Sequence, residues 1–484
     1  MASVRPRFLP IPSQDSAESG RLILRDGTTA TIRVAQPIDK EAMAMFFASL
    51  SQESNVHRFF SGSRPNDRLI ESFCDNADPR ARLTLVVTRL MKNNLDIIAA
   101  GSYMARDQTT AEIAMAVGDR FQGKGIGTLL LERLALVAVM NGFTHFSAET
   151  MAENSAMLQV FRDSGFKFQS NTKDGYVDVD LSVIPSEASV TRAEMRDPVS
   201  TTASLRTFFH PQSVAVVGAS RNPANIGGRI LHALITDRFR GVIYPINPQA
   251  TSVASLPAYP SLTALPEAPD MAIIAVPPNT VLDVIDDCAA RGVKAVVVIT
   301  AGFAETGAEG RELQQKLVER VRGYGMRMVG PNCLGLINAD PAVSLNASFS
   351  PFFPISGHIA FSSQSGALGL AILSLSRERE LGLSHFISVG NKADVSGNDL
   401  LQYWEEDKQV NAILLYLESF GNPRRFARIA KRVGSRKPIV AVKAGRTGAG
   451  RRAAGSHTAA LAASDVAVDA LFHQTGVIGP PRPP

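Results

Sequence analysis

A glycine-dense loop that runs directly into an apolar helix constrains this 484-residue chain more than any other stretch. Residues 121–134 read Phe-Gln-Gly-Lys-Gly-Ile-Gly-Thr-Leu-Leu-Leu-Glu-Arg-Leu. Leu130, Leu134 and Val137 recur at helical spacing, so the helix is expected to anchor the loop to a core. The first N–H groups of a helix carry partial positive charge and no internal partner, and glycine lets an anion approach them closely. The stretch therefore predicts a phosphate or pyrophosphate site.

Two other interpretations of the loop stay open. Residues 118–124 fit the first seven positions of a phosphate-binding NTPase loop, but the eighth position needs a hydroxyl for magnesium and is Gly125. The loop could also be a glycine-rich turn that binds nothing. Glu112, in the strand-like run 111–117, and Asn154, downstream of the helix, instead favour a complete ligand-binding unit.

The composition indicates a globular protein and does not indicate a strongly charged partner such as nucleic acid. The chain is long enough for about three ordinary domains. Its net charge is only +5 with basic residues dispersed, which predicts no nucleic-acid partner. No apolar run approaches a membrane span, and residues 1–8 lack the apolar core of a signal peptide. Cys74, Cys288 and Cys333 lie far apart without metal-type spacing, so we expect a cytoplasmic protein, small buried cysteines and no metal.

The pattern of apolar runs predicts an α/β fold in several parts. Up to residue 182 the strand-like and helical runs form a mixed α/β layer rather than a regular βαβ repeat. Beyond residue 206 short apolar strands alternate with helices, as in doubly wound sheets. The predicted segments are a leader (1–24), a first domain (25–182), a linker (183–206), a second domain (207–340), a third domain (341–479) and a tail (480–484).

The second domain predicts a ligand site at the carboxyl ends of its strands. The apolar strand 214–217 ends in Gly218-Ala219-Ser220. A dinucleotide site is disfavoured, because this turn is not G-x-G-x-x-G. The next strand, 242–246, ends in Asn247, where an NAD site needs an acidic residue for the ribose.

The pattern Gln122-x-x-Gly125-x-Gly127 resembles the acetyl-CoA pyrophosphate loop of the GNAT N-acetyltransferases. With the opening segments 26–33 and 51–60, residues 25–182 resemble the GNAT domain of bacterial protein lysine acetyltransferases fused to an acyl-CoA synthetase-like region. The resemblance implies an acetyl-CoA-dependent acyltransferase that acetylates a protein lysine. Its protein substrate is expected to be an acyl-CoA synthetase, as for relatives of this kind.

The same resemblance assigns roles to residues of the first domain. Glu112 is the expected general base, because a lysine ammonium with a pKa near 10.4 must lose a proton before it attacks. Phe161 stands where many relatives have a tyrosine that protonates the leaving thiolate, and phenylalanine cannot donate a proton. The expected acetyl-CoA-binding residues are Val117, Gln122, Gly123, Lys124, Gly125, Ile126, Gly127, Thr128 and Asn154.

Separated motifs across residues 205–340 resemble the CoA-binding domain of NDP-forming acyl-CoA synthetases, relatives of the succinyl-CoA synthetase α subunit. The motifs are Gly-Ala-Ser at 218–220, Tyr-Pro-Ile-Asn-Pro at 244–248, Ala-Val-Pro-Pro at 275–278, Thr-Ala-Gly-Phe-Ala-Glu at 300–305 and Gly-Pro-Asn-Cys-Leu-Gly at 330–335. The resemblance implies a Rossmann-like domain that binds a second CoA. The residues expected to bind it are Gly218, Ala219, Ser220, Val276, Pro277 and Asn332.

The third domain resembles the flavodoxin-like, phosphohistidine-bearing domain of the same synthetases. Residues 362–367 read as a strand-to-helix turn, which predicts an anion site. His457 matches the phosphorylated histidine of that family, and Glu418 matches the carboxylate that orients it. Ala459 replaces the glycine of the family's Ser-His-Thr-Gly pattern.

No stretch supplies the ATP-grasp domain that a full synthetase carries. Three hypotheses therefore stay open. The chain acetylates a protein lysine, or it is an α-type synthetase component that needs a separate ATP-grasp partner chain, or its second and third domains sense acyl-CoA and regulate the first. The first and third hypotheses are compatible and preferred, and an oligomer is compatible with each of them.

Overall fold

The computed structural model describes residues 20–91, 94–444 and 465–480. These residues form two compact units. The first contains the chain up to Ser200 together with Arg322–Gly325, and the second contains Thr201–Val321 and the chain from Met326 onward. The predicted domain boundaries at 182, 206 and 340 stay predictions.

The first unit is built on one eight-stranded sheet in the order β1-β2-β3-β4-β5-β6-β8-β7. Its strands are β1 (Gly20–Ile23), β2 (Thr29–Val34), β3 (Arg82–Met91), β4 (Asn94–Ala105), β5 (Thr110–Val117), β6 (His145–Met151), β7 (Lys167–Lys173) and β8 (Tyr176–Ser182). Every neighbouring pair is antiparallel except β5 and β6, which run parallel. This arrangement confirms a mixed α/β layer.

Helices cover both faces of this sheet. They are α1 (Lys40–Ser49), α2 (Gln52–Phe59), α3 (Asp67–Cys74), α4 (Ile126–Met140) and α5 (Ser155–Ser164). On one face, α1 and α3 bury Phe47 and Phe73. On the other, α4 buries Leu130, Leu134 and Val137, each at most 1% exposed. The expectation that this helix anchors the glycine loop to a core is confirmed.

The second unit contains a five-stranded parallel sheet in the order β10-β9-β13-β14-β15. Its strands are β9 (Ser213–Val217), β10 (Val242–Ile246), β13 (Met271–Ile274), β14 (Ala295–Val298) and β15 (Arg327–Val329), and β11 (Ser252–Val253) pairs separately with β12 (Leu256–Pro257). The helices between them are α7 (Ile226–Thr236), α8 (Val281–Arg291) and α9 (Ala308–Gly323). The doubly wound prediction for this part is confirmed.

A six-stranded sheet in the order β17-β16-β19-β18-β20-β21 completes the second unit. Its strands are β16 (Gly335–Asn338), β17 (Leu345–Ser348), β18 (Ser356–Ser363), β19 (Leu383–Ser388), β20 (Ala412–Leu417) and β21 (Ile439–Lys443). Its helices are α10 (Gly366–Glu378), α11 (Gly397–Glu406), α12 (Pro423–Gly434) and α13 (Asp465–Thr475). The last four strands are parallel, which confirms the flavodoxin-like prediction, whereas the antiparallel pair β16 and β17 was not predicted.

A long helix, α6 (Glu187–Phe209), occupies the segment predicted as a linker. Sequence pattern did not predict this helix, because its first half is polar and contains Pro198. Its last turns bury Leu205, Phe208 and Phe209 completely, so apolar packing at that end stabilises it.

The three cysteines are free and buried, as predicted. Burial raises the pKa of the Cys74 thiol to about 11 and that of Cys333 to about 12, so neither is a thiolate near neutral pH. In the described part of the chain, no helix is both long and apolar enough to cross a membrane.

Candidate active site and CoA-binding residues

A cavity of about 660 Å³ opens inside the first unit where β5 and β6 part. The two strands pair only from Thr110 with His145 to Glu112 with Ser147. Beyond that pair they separate, and residues 113–117 and 148–150 line the gap. Backbone groups of a strand that has lost its neighbour are available to a ligand. The gap therefore offers a slot for an extended, amide-containing molecule.

The glycine loop closes one end of this cavity. Gly123 and Gly125 both adopt left-handed backbone conformations, with φ of +75° and +83°. Gly125 is the N-cap of α4, so the helix begins immediately behind the loop, as predicted. The loop residues Gln122, Gly123 and Gly125 and the first helical residues Ile126, Gly127 and Thr128 all line the cavity. The unpaired N–H groups of that first turn can bind a pyrophosphate there.

The side chain of Gln122 fixes the loop against neighbouring elements. Its amide Nε2 donates to the carbonyl oxygen of Val117 and to Ser54 Oγ, both at 3.2 Å. Asp119 reinforces the same junction, because its carboxylate accepts from the Ser51 backbone N–H at 2.9 Å and from Ser54 Oγ at 2.7 Å. Burial raises the pKa of Asp119, but these hydrogen bonds outweigh that effect and hold the pKa below its ordinary value. Sequence reasoning missed Asp119, whose partners lie about 65 residues away.

Lys124 differs from the other predicted loop residues. Its Nζ lies 2.8 Å from Asp26 Oδ2, and it is absent from the residues that line the described cavity. Its backbone carbonyl accepts from the Arg25 N–H at 3.1 Å. The side chain of Lys124 therefore holds the loop to the 25–26 turn. Arg25 lines the cavity instead, with its guanidinium 3.2 Å from Asp163.

Glu112 lies on the cavity wall at the point where β5 and β6 part. Its Oε2 accepts from Arg106 Nε at 3.1 Å, and the two side chains are 52% and 59% exposed. Such exposed pairs are worth little and yield readily to a ligand. Arg58 also lines the cavity; burial lowers the pKa of its guanidinium to about 10, while the Glu112 carboxylate opposes this decrease. A carboxylate in this position can accept a proton from a substrate amine.

Asn154 and Phe161 lie on the α5 side of the cavity. Asn154 is the N-cap of α5, and its Oδ1 accepts from the Met157 backbone N–H at 3.0 Å. That bond orients its amide nitrogen independently of a ligand, which leaves the nitrogen as a donor for the pantetheine chain. Phe161 is 1% exposed and packs into the core beside α4, so it contributes shape and no proton.

The predicted second CoA residues converge at the carboxyl edge of the five-stranded sheet. Gly218 follows β9 with φ of +88°, and a Cβ there would lie 2.3 Å from the carbonyl oxygen of Ala275. Ala219 is buried, and its carbonyl oxygen accepts from Asn247 Nδ2 at 2.7 Å. Asn247 thus holds the turn at the position where a dinucleotide site would need a carboxylate.

Neighbouring strands supply the remaining residues of this edge. Ser220 Oγ accepts from Asn225 Nδ2 at 3.1 Å, beside the start of α7. The carbonyl oxygen of Val276 accepts from Thr300 Oγ1 at 2.7 Å, and the Thr300 carbonyl accepts from the Asn332 N–H at 3.0 Å. Pro277 is exposed next to Val276. The strand ends therefore form a linked surface, which is the usual ligand position in such sheets.

The carboxyl edge of the six-stranded sheet joins Glu418 to a lysine that sequence reasoning missed. The Gln364 Oε1 accepts from the backbone N–H groups of Glu418 and Ser419, both at 2.9 Å. Lys392 Nζ donates to Ser419 Oγ at 2.6 Å and to its carbonyl oxygen at 3.0 Å. Burial lowers the pKa of Lys392 to about 8, against the opposing effect of the Glu418 carboxylate. Lys392 and residues 418–419 lie at the ends of different strands, so only the folded structure shows that they are neighbours.

The predicted turn at 362–367 has the expected form, because β18 ends at Ser363 and α10 begins at Gly366 with Ser365 as its N-cap. His457 lies outside the described residues. No group of three His, Cys, Asp or Glu side chains is placed to hold a metal ion within residues 20–91, 94–444 and 465–480.

Three protein families match separate segments that together make up most of the chain. Residues 49–166 match the acetyltransferase (GNAT) family, residues 212–339 match the CoA binding domain, and residues 356–480 match the succinyl-CoA ligase like flavodoxin domain. These matches agree with the folds of the corresponding segments.

Several proteins are similar to parts of the chain. The acetate–CoA ligase (ADP-forming) I subunit alpha of Pyrococcus furiosus is 44% identical over 57% of this chain and 60% of the relative. A dinucleotide-forming acetyl-coenzyme A synthetase 1 of Ca. Korarchaeum cryptofilum, solved with phosphate and ADP, is 45% identical over 57% of this chain and 60% of that chain, with a TM-score of 0.55. The GNAT domain of S. lividans PAT is 30% identical over 34% of this chain and 96% of that domain, with a TM-score of 0.31. The chain thus spans about 60% of the length of these ligase relatives.

Proposed function

We propose that this chain, an acyl-CoA-using enzyme that joins a GNAT acetyltransferase domain to a CoA-binding domain and a succinyl-CoA ligase-like flavodoxin domain, transfers acetyl from acetyl-CoA to a lysine amine of a protein. One observation carries the proposal. The cavity between β5 and β6 has the glycine loop and the first turn of α4 at one end and a carboxylate, Glu112, on its wall. A pantetheine chain laid in the gap connects these two ends.

The proposed reaction needs a base and a site for a developing oxyanion. Glu112 removes a proton from the lysine ammonium, whose ordinary pKa near 10.4 would otherwise leave it protonated. After Glu112 has passed that proton to solvent, the amine attacks the thioester carbonyl and the new C–N bond forms; the nitrogen then loses its second proton to Glu112 as the C–S bond breaks. The end of β5, at Ala116–Val117, pairs with β4 but not with β6, and a backbone N–H group there that faces the gap would stabilise the oxyanion. The products are an amide and CoA.

Glu112 is available for this role because its ion pair is weak. Arg106 holds it at 3.1 Å in an exposed position, and an arriving lysine ammonium replaces that cation with another. The cavity wall carries further carboxylates, among them Glu53, Glu149 and Glu153, and these outnumber its guanidinium groups, Arg25 and Arg58. A cavity wall of this charge favours a cationic acceptor over a neutral or acidic one.

We propose that the second unit binds acyl-CoA and regulates the first. The tight turn at Gly218 and the linked strand ends through Asn332 support binding of CoA there. A protein substrate that is itself an acyl-CoA synthetase would make acyl-CoA a meaningful signal. A cytoplasmic location fits the three free, buried cysteines.

The test is transfer without ATP. The purified chain is incubated with labelled acetyl-CoA and an acyl-CoA synthetase as acceptor, and acetyl-lysine is identified by mass spectrometry of the acceptor. Label in an acid- and base-stable amide on a lysine supports the proposal. Absence of amide label from every protein acceptor, with acetyl-CoA bound to the chain, would contradict it.

A second candidate rests on the ligase relatives and on the edge that holds Glu418. In this proposal the chain is an α-type synthetase component, and a separate ATP-grasp partner chain phosphorylates His457. The 44% identity to a ligase alpha subunit favours it, as do the hydrogen bond from the Glu418 N–H to Gln364 and the electrostatic effect of the Glu418 carboxylate on Lys392. Supplying ATP and a ligase beta-type chain should then give acid-labile, base-stable phosphate on His457. A His457→Ala variant that carries the same label would rule it out.

A further inference from the structure

The proposed acyltransferase site lacks an obvious partner for the leaving sulfur. When the lysine amine attacks, the C–S bond breaks and CoA departs as a thiolate. Phe161, the residue at the position where a tyrosine is expected, is buried and has no polar atom. A thiolate that emerges beside this apolar side chain is disfavoured unless a donor faces it.

One buried hydroxyl meets this need. Thr150 lines the cavity, is 2% exposed, and its Oγ1 has no hydrogen-bond partner. Other buried polar atoms of the described residues also lack partners, but none of their residues lines this cavity. A buried hydroxyl without a partner is unfavourable, so this position is stabilised when a ligand accepts its hydrogen bond.

The strand register places Thr150 on the correct side of the reaction. Glu112 pairs with Ser147, so Glu112, Ser147 and Glu149 lie on one face of the sheet. Thr150 is one residue further along β6 and pairs with the buried Val177, so it lies on the opposite face. The base and the hydroxyl thus flank the gap from two sides. An amine that enters beside Glu112 displaces a sulfur that leaves away from it, toward Thr150 and α5.

Alternative donors on this wall are less suitable. Asn154 uses its Oδ1 to cap α5 and offers only its amide nitrogen, which the pantetheine amide requires. Ser155 is exposed at the start of α5 and is solvated without a ligand. Thr150 is therefore the donor whose hydrogen bond is still unused and whose position is set by the sheet.

We propose that the Thr150 hydroxyl donates a hydrogen bond to the sulfur of CoA and stabilises the leaving thiolate in place of a general acid. Thr150 keeps its own proton throughout, because a hydroxyl is a far weaker acid than a thiol of pKa roughly 8.5. Glu112 passes the ammonium proton to solvent and then takes the second proton that the nitrogen loses as the C–S bond breaks, and the departing thiolate takes its proton from solvent after release. This role rests on the proposed acetyl transfer, but it also predicts how free CoA binds.

The experiment compares the full chain with Thr150→Val, which keeps the shape and removes the hydroxyl, and with Thr150→Ser, which restores it. The first readout uses CoA alone as the probe. Ultraviolet absorbance of the bound thiolate is followed against pH, and the thiol of bound CoA is expected to titrate at lower pH in the wild type and Thr150→Ser than in Thr150→Val.

The second readout is acetyl transfer. We expect kcat to fall about tenfold in Thr150→Val, with a smaller change in KM for acetyl-CoA and substantial recovery in Thr150→Ser. Without ligand, Thr150→Val should melt at the same or a higher temperature than the wild type, because an unpartnered buried hydroxyl has been removed. Thr88→Val, at a threonine of equal burial on β3 outside the cavity lining, is the matched control and should change neither readout.

The outcomes separate this inference from the proposed function. If CoA titrates identically in the wild type and Thr150→Val, the inference is wrong, whether or not acetyl transfer occurs. If the wild type transfers no acetyl group, the proposed function fails, and the CoA titration still decides the role of Thr150. If Thr150→Val fails to fold, Thr150→Ala takes its place, and a CoA titration in Thr150→Ala identical to that of the wild type would overturn the inference.

Discussion

The two CoA-binding regions of this chain use a sheet in different ways. In the first unit the proposed ligand site is a gap inside the sheet, made where β5 and β6 stop pairing after Glu112. In the second unit the five parallel strands stay paired, and the predicted residues collect at their carboxyl edge, from Gly218 to Asn332. A gap surrounds the thioester and can place a base beside it. An edge mainly offers backbone N–H groups to phosphates.

Because of this difference, we expect the reaction chemistry in the gap of the first unit and ligand recognition at the sheet edge of the second unit. The gap contains Glu112 and Thr150 within one cavity, so substitutions there should change rates. The edge depends on tight backbone approaches, such as that of Gly218 to the Ala275 carbonyl, so substitutions there should change folding and binding. Four substitutions test this contrast, beginning with the one that should change activity most.

Replacing Glu112 with Gln should give the largest change. Loss of a general base typically lowers kcat by about a hundredfold to ten-thousandfold, and the binding of acetyl-CoA should change little. Steady-state kinetics and calorimetric binding of acetyl-CoA check both parts. Glu149→Gln, another exposed carboxylate on the cavity wall, is the matched control. Equal losses in the two variants would show that the cavity charge matters rather than a base at Glu112.

Replacing Gly218 with Ala should damage the edge and spare the gap. The residue has φ of +88°, and the new Cβ would meet the Ala275 carbonyl oxygen at 2.3 Å. We expect a loss of stability on the order of 2–4 kcal/mol in the second unit and loss of CoA binding there. Differential scanning calorimetry and CoA titration are the measurements. An unchanged transition in the Gly218→Ala protein would contradict the account of this turn.

Replacing Lys392 with Met tests the edge that carries Glu418. The folded pKa of Lys392 is about 8, below its ordinary value of 10.5. Between pH 8 and pH 10.5 the unfolded chain binds more protons than the folded chain, so the free energy of unfolding of the wild type increases as the pH rises through this range. Below pH 8 the Lys392 ammonium is buried in its charged form, and the folded state bears the full cost of that burial. The wild type should therefore gain on the order of 1–3 kcal/mol relative to Lys392→Met between pH 8 and 10.5. Urea unfolding at several pH values measures the gain, with Lys316→Met as a surface-charge control, and parallel pH curves would refute it.

Replacing Gly123 with Ala should have the smallest effect of the four. Its φ is +75°, but no atom lies within 4 Å of the new Cβ. The cost is then only the left-handed backbone, about 1 kcal/mol, and appears as a roughly fivefold weaker binding of acetyl-CoA. Comparison with Gly218→Ala separates the cost of a left-handed backbone alone, at Gly123, from the added cost of a steric clash, at Gly218. A loss of folding in Gly123→Ala would mean that the loop packs more tightly than its surroundings indicate.

Local signals predicted much of the fold. Local sequence marks the helices Asp67–Cys74 and Ser155–Ser164, because Asn66 and Asn154 cap them and their apolar residues recur at helical spacing. Helix α2 was missed because it is polar and buries only Asn55. Strands β16 and β17 were missed because their short runs pair only with each other and with β19, which lies far along the chain.

The candidate site was predictable where spacing carries the information and not elsewhere. The glycine loop and the position of Glu112 before it are local patterns. The gap between β5 and β6 depends on how the strands pair in the folded sheet. The sequence alone therefore could not identify Thr150 as a residue of the cavity. Likewise, only the folded chain shows that Lys124 pairs with Asp26 and that Lys392 meets Ser419. These partners are set by tertiary contacts rather than by local sequence.

The most direct test of the central claim is acetyl transfer without ATP, measured side by side for the wild type, Glu112→Gln and His457→Ala with labelled acetyl-CoA and a protein acceptor. If the gap in the first unit performs the chemistry, His457→Ala transfers acetyl to lysine at the wild-type rate and Glu112→Gln loses nearly all transfer. If Glu112→Gln stays active while His457→Ala is inactive, the chemistry belongs to the second unit and the account is contradicted.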